Sequence, residues 1–239
     1  MPKKDFLLDG GLIVNVYKRR TSRNLRLSVA STGQIMVSIP QWLPFKAGYE
    51  FAKSRQDWLT EQTAGRRPSK LRDGQAIGKA HHLQFILSLK AKKPTARVEY
   101  SLVKISYPPG HDIDDELVQA AAQKASIRAL RQQAERLLPQ RLAFLAEKHG
   151  CDYNQVSVKQ LKSRWGSCDR QKNIVLNLFL MQLPWDLIDY VLLHELTHTE
   201  VFRHGSDFWN AMAKKTTNLK QLRKDMKQQS PILKDGLAS

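Results

Sequence analysis

His194, Glu195 and His198 stand as H-E-x-x-H within "VLLHELTHTEVFRHG", residues 191–205, and His204 follows six residues later. Residues four apart on a helix share one face, so His194 and His198 can aim both imidazoles at one point with Glu195 beside the first. A zinc hydrolase needs that geometry. Neutral imidazoles hold Zn2+ at about 2.0–2.1 Å, and three protein ligands leave room for a water whose pKa the metal lowers to roughly 7. Glu195 would act as general base on that water and return the proton to the leaving group.

The third ligand is expected where the chain turns after the helix. His204 is the first choice, an imidazole just ahead of a helix start at Gly205-Ser206, with Glu200 and Asp207 as alternative oxygen ligands. The His198-to-His204 step matches H-E-x-x-H-x-x-G-x-x-H, but Val201 stands where that pattern has glycine and no Met-turn is visible, which argues against a metzincin. His81, His82, His111 and His149 fall at strand or helix ends and are expected to be exposed rather than ligands.

These side chains need a frame. "PWDLIDYVLLHELTHTE" reads as a helix with Pro184 near its first turn, preceded by strands in "QVSVKQL" and "NIVLNLFL". A further helix is expected near "GSDFWNAMAKK" with Ser206 as N-cap, and "NLKQLRKDMKQQ" reads as a basic helix or tail. Upstream, Asp112, Asp114, Asp115 and Glu116 open a long Ala/Leu/Gln/Arg-rich run that ends at His149-Gly150, which suits the helix dipole and a glycine cap. Pro139 is expected to kink or split that run.

The first 40 residues alternate as strands, "LIVNVYKR", "NLRLSVAS" and "QIMVSIP", with a turn at Ser31-Thr32-Gly33, and predict an antiparallel meander. Residues 44–63 predict one helix, closed by an exposed basic loop, "GRRPSKLR". Strand character returns in "HHLQFILSLK", "ARVEYSLV" and "KISYPP", and "PPGHD" marks a boundary. The expectation is a β-rich unit with one helix over 1–109 and a helical catalytic region over 110–239, joined as one integrated domain. No internal repeat stands out.

The 239 residues suffice for a sizeable core, so stability need not depend on a metal. A formal charge of +17 permits contact with phosphate-rich partners, with basic runs at Arg66–Arg72 and Lys214–Lys227. The two cysteines, Cys151 and Cys168, have no CxxC companion and read as reduced thiols. With no signal-peptide pattern and no apolar run of roughly 18 residues, a soluble, cytoplasmic protein without a membrane span is expected.

A longer stretch carries a resemblance. Ser163 to Cys168 as S-R-W-G-S-C, Ile174 to Asn177 as I-x-L-N, Pro184 to Val191 as P-x-x-x-I-D-Y-V, the H-E-L-x-H of His194 to His198, and H-x-x-x-F-W from His204 to Trp209 resemble the YgjP-like metallopeptidase family, relatives of the SprT-type zincins. The resemblance implies an α+β, zincin-like metallohydrolase with an N-terminal antiparallel β-rich unit, zinc on His194, His198 and His204, and Glu195 as the catalytic carboxylate. Arg203 departs from the Asn the family pattern has before the third histidine.

Arg164 has two readings, stabilising negative charge that develops on a carbonyl or phosphoryl oxygen or pairing with an acid such as Asp189 while Trp165 and Cys168 join the core. Tyr190, four before His194, faces the site or packs the helix. A zinc metallopeptidase is the leading reading, with peptide strand addition beside the "SRWGSC" segment. A nucleoside triphosphate pyrophosphatase acting on a phosphoanhydride would use the same ligands. A DNA-associated protein with a structural zinc is the third, although structural zinc is normally closed by four ligands.

Overall fold

Val14 and Val16 flank polar Asn15, Ile35, Val37 and Ile39 alternate with Met36 and Ser38, and all five side chains are fully or almost fully buried. That period of two builds the first sheet. The computed structural model describes residues 2–9, 11–29, 33–63 and 70–233. The chain forms two compact units, 1–69 and 70–239.

In the first unit β1 (Lys3–Leu7), β2 (Ile13–Lys18), β3 (Arg26–Val29) and β4 (Ile35–Ile39) lie in the order β1-β2-β4-β3. β2 and β4 are parallel, with Val14 opposite Ile35 and Val16 opposite Val37. The sheet is therefore not the expected meander. Alternation reports which face is buried and is blind to pairing order, and the central parallel pair is what gathers the five apolar residues side by side. The expected turn residues Ser31 and Thr32 lie outside the described residues, as do Arg66 to Ser69 of the basic loop.

The helix expected over 44–63 is two helices, α1 (Phe45–Lys53) and α2 (Gln56–Thr63). The break falls at Ser54, whose hydroxyl donates to the Phe51 carbonyl at 2.9 Å, a local bond that competes with continuing the helix. α1 lies so close on the sheet that a Cβ at Gly48 would stand 2.4 Å from a Val16 methyl.

In the second unit β5 (Ala76–Ile77), β6 (His81–Leu87), β7 (Thr95–Glu99) and β8 (Leu102–Tyr107) repeat the same topology, β5-β6-β8-β7, again with a parallel central pair. The repeat is one of pairing and leaves no trace in residue identity. "ARVEYSLV" is not one strand but a hairpin, turning at Tyr100 with φ 50°. Val103 and Ile105 of β8 share a core with Val118, Ala122 and Ala125 of α3 (Glu116–His149). This is why residues 70–109 belong with the helices that follow them, and why the boundary expected at Pro109 falls inside the second unit.

α3 runs for 34 residues and is neither split nor ended by Pro139. The proline sits on a partly exposed face one turn after exposed Glu135, where water can take the carbonyl that the ring leaves without its N–H. The helix stops at Gly150, with φ 64° and bonds from Gly150 N–H to Glu147 O and from Cys151 N–H to Ala146 O. That pattern is a Schellman cap.

A three-stranded sheet follows, ordered β10-β11-β9, from β9 (Gln155–Lys159), β10 (Gly166–Cys168) and β11 (Asn173–Asn177). β10 is an edge strand, antiparallel to β11. A buried 3-10 turn, Leu178–Gln182, leads into α4 (Trp185–Thr197), then α5 (Ser206–Lys215) and α6 (Leu219–Lys227). α4 is sunk in the core through Leu187, Ile188, Val191, Leu192 and Leu196. The N-cap of α5 is Gly205, not Ser206, and no side chain caps it; the Ser206 hydroxyl instead faces Asp207 Oδ1 at 3.4 Å. The architecture is mixed α+β. Among the described residues no helix is long and apolar enough to cross a membrane.

Candidate metal centre

α4 presents His194 on its last turn and ends at His198, and the turn after it swings His204 back toward both. The chain folds there because Val201 N–H bonds Thr197 O at 2.9 Å and Gly205 N–H bonds Arg203 O at 2.7 Å. The three Nε2 atoms converge, at 3.2 Å for His194–His198, 3.1 Å for His198–His204 and 2.9 Å for His194–His204. Nitrogens held at about 2.0–2.1 Å around a tetrahedral ion stand roughly 3.3–3.4 Å apart, so the triad fits a single first-row cation. Among the described residues no other group of three His, Cys, Asp or Glu is close enough to share an ion.

The protonation states agree. His198 Nδ1 lies 3.1 Å from Val201 O; donation to that carbonyl fixes the tautomer that leaves Nε2 as a lone pair. Burial, then the neighbouring His198 and His204, then Arg223 push His194 down to about 3. His198 is lowered chiefly by burial. Both rings are therefore neutral near pH 7, with nitrogen atoms aimed at one point. His194 Nδ1 is buried without a hydrogen-bond partner among the described residues.

Glu195 is 5% exposed, and burial raises its carboxyl to about 8 against the opposing pull of Arg164. It lies against β10, where Gly166 and Cys168, two apart on the strand, share a face. An ideal Cβ on Gly166 would be 2.6 Å from Glu195 Oε1. Burial, Glu195 and Asp169 raise the Cys168 thiol to about 11, so it stays protonated. Trp165 and Cys168 pack on the main core.

Arg164 is exposed and makes no ion pair among the described residues. Asp189, its expected alternative partner, is held instead by Arg141, whose Nε donates to Oδ1 at 2.7 Å and whose Nη2 donates to Oδ2. The segment carrying Arg164 is pinned by Asn177. That buried amide donates to Leu161 O at 2.9 Å and to Arg164 O at 2.8 Å, while Asn177 N–H bonds Trp165 O at 2.8 Å.

The triad rests on aromatic rings. Phe208, fully buried, has its centroid 4.6–4.9 Å from all three imidazoles. Trp209 stacks on His204 at 5.9 Å and 28°, and the Arg223 guanidinium lies 3.7 Å over the Trp209 ring. Tyr190 is buried with its ring 6.1 Å from His194, so it both packs α4 and borders the site.

The alternative oxygen ligands are elsewhere. Glu200 accepts from Lys215 Nζ at 2.9 Å and from Cys151 Sγ at 3.1 Å. Asp207 lines a separate cavity with His149, Glu200 and Asn210. Of the other histidines His82 is exposed, but His81 is buried, its Nδ1 2.7 Å from Gln133 Nε2, and His111 is paired with Asp115 at 2.7 Å. The expectation of exposure fails for His81 because β6 turns it toward α3. Gly166, Asn177 and Arg223 carry no role in the sequence reading; a polar residue ending the apolar run "NIVLN" is the one local signal among them.

Two solved structures are similar to part of the chain. The metallopeptidase zymogen jannalysin of Methanocaldococcus jannaschii is 18% identical over 38% of this chain and 94% of its own, with a TM-score of 0.35. The abylysin zymogen of Pyrococcus abyssi is 21% identical over 38% and 93%, also with a TM-score of 0.35. No curated protein matches the chain. A family model for the YgjP-like metallopeptidase domain matches residues 23–229, taking in the triad, Glu195, the β10 segment and α6. The chain belongs to the YgjP-like metallopeptidase family and is a metal-dependent hydrolase of that family.

Proposed function

We propose that the protein hydrolyses peptide bonds with a zinc ion held by His194, His198 and His204 and with Glu195 as general base. The observation that carries this is the convergence of three Nε2 atoms, from His194, His198 and His204, at the end of the helix that also carries the buried Glu195. A zinc ion at such a site supplies Lewis acidity and lowers the pKa of water to roughly 7. Glu195, on the same helical turn as His194, takes a proton from water and delivers it to the leaving amine. Arg164 adds positive charge where a carbonyl oxygen becomes negative.

The edge of β10 supports a peptide substrate. Trp165 O, Ser167 and Asp169 N–H face β11, so by strand alternation the N–H and C=O groups of Gly166 and Cys168 point to the open edge. An extended peptide could add there as a further strand, next to Glu195.

One observation favours a second substrate class. Arg164 and Arg223 both act on the site electrostatically and neither has a carboxylate partner among the described residues, which suits a nucleoside triphosphate. Nucleic-acid contact is a third reading, motivated by Lys220, Lys224 and Lys227 exposed on α6. Zinc-loaded protein incubated with casein, with and without DNA, and with a nucleoside triphosphate panel separates these readings. Peptide cleavage lost in Glu195→Gln supports the first; pyrophosphate release without peptide cleavage overturns it.

A further inference from the structure

We infer that Gly166 is the positioning residue for Glu195, its missing side chain being the space in which the catalytic carboxylate is held. The inference rests on reading Glu195 as the base. An ideal Cβ on Gly166 would stand 2.6 Å from Glu195 Oε1, 2.8 Å from Cγ and 2.9 Å from Cδ. All three distances are shorter than real Cβ contacts, and they run from the middle of the side chain to its tip. Rotating the carboxylate alone relieves only the first; Cγ must move as well, which swings the whole group out of the space it occupies against β10.

Neither side of the contact is free to retreat. Gly166 is paired with Leu176 in β10–β11, and the preceding residues are tied by Asn177 to Leu161 O, Arg164 O and Trp165 O. On the other side, Glu195 stands between Leu193 and Leu196, both buried in the main core. Close packing on both flanks leaves the side chain of Glu195 as the part that must yield.

Backbone freedom is not what requires glycine here. Gly166 does not have positive φ, so an alanine meets no backbone strain, only the carboxylate. The open edge of β10 and the face toward Glu195 are thereby set by one residue. A substrate strand paired at Gly166 and the base that serves it share a single reference point.

The test is a thermal-unfolding cycle on the full-length, zinc-loaded chain, with Gly166→Ala made in the wild type and in Glu195→Ala. The contact predicts that Gly166→Ala lowers Tm by about 3–10 °C in the wild type and by about 1 °C or less once Glu195 is truncated, with zinc content kept. Failure of Gly166→Ala to fold while the double variant folds reads the same way. Equal losses in both backgrounds, or two unfolded proteins, overturn the inference. Because the cycle needs no substrate, it stands apart from the assay of peptide cleavage. Where cleavage is measured, Gly166→Ala lowers kcat by about 100-fold or more with KM little changed; wild-type kcat overturns the inference.

Discussion

The side-chain amide of Asn177 donates to the carbonyl oxygen of Arg164 at 2.8 Å. Asn177 has no exposed surface, and its oxygen accepts Phe179 N–H at 3.2 Å, opening the 3-10 turn. One buried amide thus joins the arginine segment, the edge strand and the approach to α4.

Asn177→Leu removes those bonds and leaves the carbonyls of Leu161 and Arg164 without their donor. An unsatisfied buried group costs about 1–3 kcal/mol; both carbonyls are only part-buried, so a loss of roughly 1–3 kcal/mol in unfolding free energy is expected by denaturant titration. If Asn177 also places Arg164, activity falls beyond the population unfolded, and Arg164→Ala adds little further loss in the Asn177→Leu background. Full additivity of the two substitutions would show that they act independently.

His204→Ala is expected to reduce zinc bound per chain to well below one after dialysis, while Glu200→Ala and Asp207→Ala retain it. Elemental analysis of the three purified variants reads this directly. Unchanged zinc in His204→Ala would move the third ligand elsewhere. Glu200→Ala should still cost stability, because it strands Lys215, only 9% exposed, and breaks the Cys151 contact.

The convergence of the three histidines was legible because it is local. Four residues of helical spacing and six more through one turn fix His194, His198 and His204 with no knowledge of the rest of the chain. The Gly166–Glu195 contact joins residues on different elements, and a sequence shows that Gly166 lacks a side chain without showing what fills the space. Sheet order was hidden for a related reason, since Val14, Val16 and Val37 alternate identically whether β2 pairs β4 in parallel or β3 intervenes. Pro139 and Ser54 mark the limit of propensity. The weak breaker, Ser54, ends a helix through one local bond, whereas the strong one, Pro139, is carried through by a helix whose other face is packed in the core.

Trp209→Ala removes the ring that stacks on His204 and carries Arg223. His204, the exposed member of the triad, then loses its main restraint, and a ligand that must be ordered on binding holds its metal more weakly. Support of this kind is typically worth about 10–100-fold in metal affinity, measurable by competition with a chromophoric chelator. Arg223→Ala, which keeps the ring, should change affinity much less. Equal affinities for wild type and Trp209→Ala would assign the stack to packing of α6 alone.

The metal-free protein should carry a pH signature of Glu195. Its folded pKa of about 8 lies above the ordinary 4.5, so the folded state binds the proton more tightly than the unfolded chain. The contribution is full below about pH 4.5 and is lost as pH rises through about 8. Glu195→Gln does not titrate, so in chelator the Tm of wild type should fall relative to Glu195→Gln between pH 5 and 8.5, by about 5 °C or more. His194 acts with the opposite sign. Its pKa is depressed from 6.5 to about 3, so its contribution is present above pH 6.5 and fades as pH drops toward 3, in both proteins alike. Adding zinc places positive charge beside Glu195 and should flatten the wild-type dependence. Parallel Tm curves for the two metal-free proteins across pH 5–8.5 would mean that the carboxylate is solvated, and with it would go the reading of Glu195 as a buried, proton-holding base.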